Sequence, residues 1–448
     1  AKVKLPFNIT YSFNASPRYE WFYKRYFTSS QHPDWTPGSK KAGVDRETSK
    51  SFEWSLNNTL NWEHTFGKKH RVNVTLVQEA EELQSWSDKI QAWDISPTDA
   101  LGLHETKGGD KLMSEFDSGD SRETADGMLA RLFYSYDDRY MFTGSVRRDG
   151  YSAFGTSNPR ATFLSAATAW TFTNEKFFKW KPLSNGKLRL SYGQNGNRSL
   201  ENPYIALANL ANGVGTEGYV NPNGDYIQFQ YLRIDRMANT HLQWEKTASF
   251  NIGLDLGFLN NRITTTMEYY LASTTDMIMN QSLPGFSGFS SITTNLGEVQ
   301  NKGFEISINS QNIVGKNFSW NTTFGFSKYK NTIKHLYYQY VDVVDANGNI
   351  VSTKESGDVG NKWFIGQPIS SIWDYKVSGI WQVGEIDQAA RYLQRPGDPK
   401  VANSYTLDDI KNADGSFTPV YNNNDKEFLG QTQAPIMWSL RNDFTYKN

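Results

Sequence analysis

The 448-residue sequence predicts an all-β fold, an antiparallel transmembrane β-barrel of about 12 strands. Three observations carry that expectation. Apolar and polar residues alternate over runs longer than the ~5–6 residues of an ordinary strand. The connections between runs alternate between short and long. Aromatic residues make up 15% of a chain whose mean hydropathy is −0.62, a combination that suits interfacial girdles or carbohydrate-binding surfaces.

The first run places Val3, Leu5, Phe7, Ile9, Tyr11, Phe13 and Ala15 on one face, against Lys4, Asn8, Thr10, Ser12 and Asn14 on the other. It reads as one strand over 3–16, odd face to lipid and even face to a polar lumen. Pro6 removes a ladder hydrogen bond there, which predicts a bulge or a chain edge. In "SFEWSLNNTLNWEHTF" (51–66), Phe52, Trp54, Leu56, Leu60, Trp62 and Phe66 share a face, with Asn58 and His64 as breaks. From Phe52 to Phe66 is ~46 Å of strand at ~3.3 Å per residue. Tilted by about 45°, it rises ~33 Å, enough to cross a bilayer core.

"RVNVTLVQ" (71–78) follows, with Val72, Val74 and Leu76 in phase. "MLARLFYSY" and "RYMFTGSVR" are separated by Asp137-Asp138, and "ATFLSAATAWTF" and "KLRLSYG" form a weaker pair. "ASFNIGLDLGFL" and "RITTTMEYYLA" meet at Asn260-Asn261, and "GFEISINSQ" and "FSWNTTFGFSK" meet around Gly315. "WSLRNDFTYK" closes the series with Trp438, Leu440, Phe444 and Tyr446 in phase.

The short connections are 67–69, 137–138, 174–186, 260–261 and the stretch near 315, and the long ones are 16–50, 79–127, 148–160, 194–247, 273–302 and 329–437. Short periplasmic turns and long extracellular loops are the asymmetry of an outer-membrane barrel. Trp54, Trp62, Phe66, Trp320 and Trp438, near strand ends, are expected in its girdles.

Composition excludes several classes. With 46 Lys+Arg against 47 Asp+Glu the chain offers no basic surface for nucleic acid, and with no cysteine it has no disulfide or thiolate chemistry. No apolar stretch approaches the ~18 residues of a transmembrane helix. No compact segment that could plug a lumen precedes the first strand, and the end, "FTYKN", stops in mid-alternation. Loops this large suit the 22-stranded plugged barrels, so the chain reads as 12 strands of such a barrel with the plug outside it. A complete 12-stranded passive pore and a soluble aromatic-rich glycan-binding protein are the alternatives.

Particular stretches resemble the SusC/RagA family of TonB-linked outer-membrane transporters of Bacteroidetes. They are "RRDGYSAFG" (147–155), "KLRLSYGQNGN" (187–197), "WEKTASFNIGLDLGFLNNRI" (244–263), "NLGEVQNKGFEISIN" (295–309), "IWDYKVSGIWQ" (372–382) and "LGQTQAP" (429–435). The resemblance implies a plugged 22-stranded barrel in the bacterial outer membrane, energised through TonB and capped by a SusD-like surface lipoprotein. It implies import of oligosaccharides or peptides, and no enzymatic activity. Two positions depart from the family. Ala153 stands where a second Arg is usual, and "IKNADGSF" retains Asn412, Asp414 and Gly415 of an EF-hand-like loop but has Ile410 first and Tyr421 twelfth. Calcium needs six or more oxygens, usually from both of those ends, so Asn412 and Asp414 are weak metal candidates and no cofactor is expected.

Catalytic motifs are missing. His32, His64, His70, His104, His241 and His335 form no H-E-x-x-H pair, "PGFSGFSS" is not G-x-S-x-G, and "GQNGN" lacks the Lys-Ser/Thr of a phosphate loop. What remains is loop chemistry. Trp86, Trp93, Tyr219, Tyr226, Tyr231, Trp363, Trp373 and Trp381 fall in the expected extracellular loops, where rings stack on sugar faces, pack the loops, or dock the lipoprotein. "EIDQAARYL" (385–393) reads as a short surface helix in the last loop.

Overall fold

The computed structural model describes residues 1–29, 42–95, 102–110, 114–200, 202–213, 218–228, 231–344, 349–403, 406, 409–413 and 417–447. Strands dominate, and among the described residues no helix is long and apolar enough to cross a membrane. In chain order the first eight strands are β1 (Lys2–Leu5), β2 (Ile9–Thr28), β3 (Gly43–Phe66), β4 (His70–Ala92), β5 (Glu115–Tyr136), β6 (Tyr140–Tyr151), β7 (Arg160–Trp170) and β8 (Leu183–Asn197). Then come the small strands β9 (Asn209–Gly213), β10 (Gly218–Val220), β11 (Tyr226–Gln228) and β12 (Tyr231–Arg236), followed by β13 (Glu245–Phe258), β14 (Ile263–Thr275), β15 (Ile278–Ser282), β16 (Ser291–Asn295), β17 (Glu298–Val314) and β18 (Phe318–His335).

The last long connection holds β19 (Tyr340–Val344), β20 (Ile350–Glu355), β21 (Ser371–Tyr375), β22 (Val377–Ile380), the helix α1 (Ile386–Arg391), β23 (Pro399–Val401), β24 (Ile410–Lys411), β25 (Phe417–Thr418) and β26 (Lys426–Gln431) before β27 (Ile436–Tyr446). The expected helix over 385–393 is therefore present as α1, preceded by a 3-10 turn. One 13-stranded sheet runs in the order β1-β2-β3-β4-β5-β6-β7-β8-β13-β14-β17-β18-β27, and the other strands form two-stranded hairpins in the loops. By contacts the chain divides into residues 1–252 with 276–295, and residues 253–275 with 296–448.

The opening run is not one strand. β1 and β2 are an antiparallel hairpin, Val3 opposite Tyr11 and Leu5 opposite Ile9, closed by a single 3-10 turn over Pro6–Asn8. Phe7 and Asn8 both adopt φ 63° there. Each odd residue of β1 faces an odd residue of β2, so the turn preserves the alternation while reversing the chain. Pro6 thus marks a turn, not a bulge, because its fixed φ suits turn entry and its missing N–H is no loss there. The turn lies at the same end as the other short ones, since Ile9 pairs with Trp62 near the foot of β3. At those turns Gly67 and Lys68, Asp137 and Asp138, and Asn260 and Asn261 all have positive φ between 52° and 63°. Gly, Asn and Asp tolerate that left-handed geometry, which matches the twist of the flanking strands.

The strands are also longer than the alternation predicts. Residues 16–28, 43–50, 79–92 and 115–127, expected within loops, continue β2 to β5 as unbroken ladders. β3 alone has 24 residues, ~75 Å of strand at ~3.3 Å per residue, far more than the hydrocarbon requires. Above the membrane both faces of a strand meet water, so the alternation fades while backbone pairing persists.

Register sorts the side chains of residues 1–252 into rows across neighbouring strands. On one face lie Leu60, Leu76, Ala130, Val146 and Leu164, mutually opposite from β3 to β7. Below them, beside the short turns, Phe66, His70, Tyr136, Tyr140 and Trp170 form an aromatic row. Its rings touch, with His70 and Tyr136 centroids 4.9 Å apart and Tyr136 and Tyr140 6.4 Å apart. Eight residues above this row come Asn58, Gln78, Met128, Arg148 and Thr162. Eight steps are ~26 Å of strand, or ~20 Å of height at a tilt of about 40°. This apolar face bounded by an aromatic row and a polar row is the lipid-facing surface. Phe66 stands in the lower girdle as expected, with Trp62 and His64 stacked behind it, whereas Trp54 lies above the polar row, opposite Pro17 and Glu82. The opposite face carries Asn57, Glu79, Gly127 and Asp149 in one row and Asn61, Thr75, Arg131 and Ser145 in another, which is the wall of a polar lumen.

A charge on the lipid side should therefore be far more harmful than one on the lumen side. Leu132→Arg in the full-length barrel is expected to cost about 2–4 kcal/mol, and Thr75→Arg, on the opposite face, less than about 1 kcal/mol. Urea unfolding from vesicles measures both.

Candidate functional site

The lumen wall is organised around Arg147 on β6. Its Nε donates to both carboxylate oxygens of Asp149, at 2.9 and 2.8 Å, and its Nη2 donates to Glu79 Oε2 at 2.7 Å. Glu79 is on β4, so the guanidinium crosses β5 to reach it. The crossing point is Gly127, opposite both Glu79 and Asp149. A Cβ at Gly127 would lie 2.4 Å from Asp149 Oδ1 and 3.0 Å from Arg147 Nη2. Glycine leaves room there for the ends of these two side chains, which a Cβ would displace; the constraint is space, not conformation. The other oxygen of Glu79 accepts from Asn57 Nδ2 at 2.8 Å, which extends the network to β3.

Above this network parts of the segments at 147–155, 187–197 and 244–263 pack into one corner. Tyr151, Ala153, Phe154, Ala161, Phe163, Ala206, Leu242 and Trp244 form a buried cluster. Phe154 stacks on Trp244 at 4.7 Å, and Phe163 meets Trp244 edge-on at 5.8 Å. Gly155 approaches the chain so closely that a Cβ would lie 2.1 Å from the Thr240 carbonyl oxygen, and its N–H donates to the Leu242 oxygen at 2.9 Å. At Gly196 a Cβ would strike the rings of Phe163 and Trp244. Asn295 then ties the corner to its neighbours, accepting from Gln243 N at 2.7 Å and donating to the carbonyls of Gln243 and Asp276. Ala153 is fully buried in this cluster, where the charged head of an Arg would need a partner.

Beneath the corner, on the lumen face, a recess of ≈ 630 Å³ is lined by Asn57, Glu79, Arg147, Gln194, Asn195 and Arg198, among others. Its charges are paired, Arg147 with Glu79 and Asp149, and Arg198 with Glu81. The recess therefore presents amides and paired charges, with the three carboxylates Glu79, Glu81 and Asp149 outnumbering the two arginines. Sequence reasoning singled out the Arg147 segment but missed Glu79 as its partner, because 79–127 was taken as loop. Continuing the register of β4 past Gln78 was the signal that would have found it.

The loop aromatics occupy several different environments. Trp86 lies on β4 on the same face as Leu76, exposed, opposite Lys50 and Asp120. Trp93 follows β4 and covers Gly43, where a Cβ would lie 2.5 Å from its ring. Tyr219 and Tyr226 sit on the exposed β10–β11 hairpin, opposite Ile227 and Val220. Tyr231 begins β12, opposite Gly213.

In the other unit, Trp363 is half-buried and bridges to Asp358. Trp373 is buried against Phe364, with the Lys426 ammonium over its ring. Trp381 is buried too, its Nε1 donating to Gln394 Oε1 at 2.6 Å and its ring beneath Lys400. Asn412 donates to Thr418 Oγ1 at 3.1 Å, whereas Asp414 and Gly415 lie outside the described residues. Among the described residues no three His, Asp or Glu side chains gather as a metal site would need.

The last long loop is rooted through Glu355, nearly inaccessible at 5% side-chain exposure. Its carboxylate accepts from the N–H groups of Leu336 and Tyr338 at 2.7 and 2.9 Å, and lies 2.9 Å from His335 Nδ1. Burial alone would raise its pKa, but these donors together outweigh burial and hold it below the ordinary value of 4.5. Nearby, burial and the hydrogen bond to Asp358 push Tyr337 up to about 12.

The family described as TonB dependent receptor-like, beta-barrel, matches residues 3–432. TonB-dependent receptor P26 of Formosa agariphila is 28% identical over 434 residues, covering 97% of this chain and 41% of that protein. TonB-dependent receptor SusC of Bacteroides thetaiotaomicron is 30% identical over 318 residues, covering 66% of this chain and 31% of that protein. The solved RagAB peptide transporter superposes with a TM-score of 0.77 at 20% identity, over 100% of this chain and 45% of that one. These features define an outer-membrane β-barrel. The chain belongs to the TonB-dependent receptor β-barrel family, whose members are transport proteins of the outer membrane rather than enzymes. It spans less than half the length of these relatives.

Two outcomes follow from the wall and the loop root. Gly127→Ala should displace Asp149 or Arg147 and lower stability by about 1 kcal/mol, read as an earlier urea midpoint. Because the Glu355 pKa is lowered on folding, its stabilisation is present above pH 4.5 and is lost as the pH falls through the lowered value. Amide exchange at Leu336 and Tyr338 should accelerate roughly tenfold beyond the intrinsic change over that range, and Glu355→Gln should flatten the response.

Proposed function

We propose that this chain is the barrel portion of a TonB-dependent importer that takes up oligosaccharides together with a SusD-like surface lipoprotein. The observation that carries the substrate class is the lumen recess beside β3 to β8. Its arginines are neutralised by carboxylates of the same wall, and Asn57, Gln194 and Asn195 line it. Amides and arginine-paired carboxylates offer hydrogen bonds to neutral polyhydroxyl ligands, and with carboxylates in excess an anionic ligand would find no free cation. Exposed Tyr219 and Tyr226 supply rings of the kind that stack on sugar faces.

A second reading, import of peptides, is favoured by the fold match to the RagAB peptide transporter. Partnership with a lipoprotein lid and coupling to TonB are part of the proposal and rest on the likeness to SusC. Family membership favours an importer over the passive 12-stranded pore and over a soluble glycan binder.

The full-length transporter, purified with any co-isolated lipoprotein, should be titrated calorimetrically with neutral oligosaccharides and with peptide mixtures of similar mass. Oligosaccharide binding weakened about tenfold by Asn57→Ala with Gln194→Ala is expected, from the loss of one or two hydrogen bonds. Saturable binding of peptides alone would replace the glycan reading, and purification without a lipoprotein would remove the lid from it.

A further inference from the structure

The two adjacent arginines of "RRDG" have opposite fates. Arg147 faces the lumen and is held by two carboxylates. Arg148 points to the other face, in the row of Asn58, Gln78, Met128 and Thr162. It is exposed and has no hydrogen bond or ion pair with any described residue. The arginines higher on this face are neutralised, Arg160 by Asp126 at 2.6 and 2.9 Å and Arg122 by Glu82 at 2.9 Å.

The height of Arg148 is informative. It lies eight residues above Tyr140 of the aromatic row, ~20 Å up after tilt. That is the level where the outer hydrocarbon ends and head groups begin on the long-loop side. Directly against it is an apolar groove of ≈ 490 Å³ between Leu60, Leu76, Met128, Ala130 and Val146, with Arg148 on the rim. Ala130, in the row between Leu76 and Val146, leaves the depression. Asn58 and Gln78 complete the polar edge, joined to each other at 2.7 Å.

We propose that this groove and Arg148 hold one phosphate-bearing, acylated glycolipid of the outer leaflet, an acyl chain lying in the groove and the phosphate on the guanidinium. An unpaired guanidinium at the hydrocarbon boundary demands an anion, and phosphate matches its planar fork in a bidentate contact. The apolar groove below accepts only the hydrocarbon part of such a molecule, so one amphiphile satisfies both. Asn58 is held by the Tyr11 hydroxyl and by Gln78, which leaves the Gln78 Nε2 group to the sugar hydroxyls beside the phosphate. The proposal is independent of what the lumen transports.

Native mass spectrometry of the full-length transporter in mild detergent tests it, with lipid A and its dephosphorylated form as probes. The wild type should retain one phosphorylated lipid and bind the dephosphorylated form roughly tenfold more weakly. Arg148→Gln should lose that preference, Arg148→Lys should keep part of it, and Ala130→Phe, which fills the groove, should weaken both lipids. Heat-modifiable gel migration confirms that each variant barrel is folded. Equal retention of phosphorylated lipid by wild type and Arg148→Gln, or no discrimination between the two lipids by the wild type, overturns the site. Unchanged binding by folded Ala130→Phe removes the groove from it.

Discussion

Inside hydrocarbon no water is available for an unpaired backbone N–H or C=O, so each strand must find its partners in the next strand and keep them across the whole membrane. The uninterrupted ladders from β2 to β7 meet that demand. An unshifted ladder has a consequence beyond backbone satisfaction. Every side chain keeps its face from strand to strand, so rows of like chemistry assemble from residues distant in sequence. The aromatic row at the short turns, the apolar band above it and the polar row above that are three such products.

The lumen network is a fourth. Arg147 reaches Glu79 across an intervening strand only because register sets Gly127 between them. Side chains of β3, β4 and β6 are joined at this height across the backbone of β5, with one guanidinium shared by two carboxylates. The packed corner above it depends on close approaches at Gly155 and Gly196. The family-marking residues Phe154, Gly155, Gly196 and Trp244 are therefore architectural in this chain, packing the loop bases above the lumen wall. In the proposed function, recognition falls to less regular surfaces, the amide-lined recess and the exposed hairpins.

The loops have order of their own. Trp373 and Trp381 are buried in the last loop, each beneath a lysine ammonium, and Glu355 gathers two backbone donors and His335 at its root. A loop of this length would be entropically costly as an open chain. Small hairpins and buried aromatics reduce that cost and give the loop a defined surface.

Much of the barrel was legible in the sequence: the all-β class, the facing of Leu60, Val72, Val74 and Leu76, the Asp137-Asp138 and Asn260-Asn261 turns, and the helix after Glu385. Period-two patterning reports which face a residue occupies, and that is a local property. It is silent on chain direction, so the β1–β2 hairpin read as one strand, its turn preserving parity. It is also silent wherever both faces meet water, so the upper halves of β2 to β5 read as loop. The neighbours across a ladder, and with them the Arg147–Glu79 pair, the space at Gly127, the burial of Trp373 and the isolation of Arg148, were decided only by tertiary structure. Register is a relation between strands, and no single strand's sequence contains it.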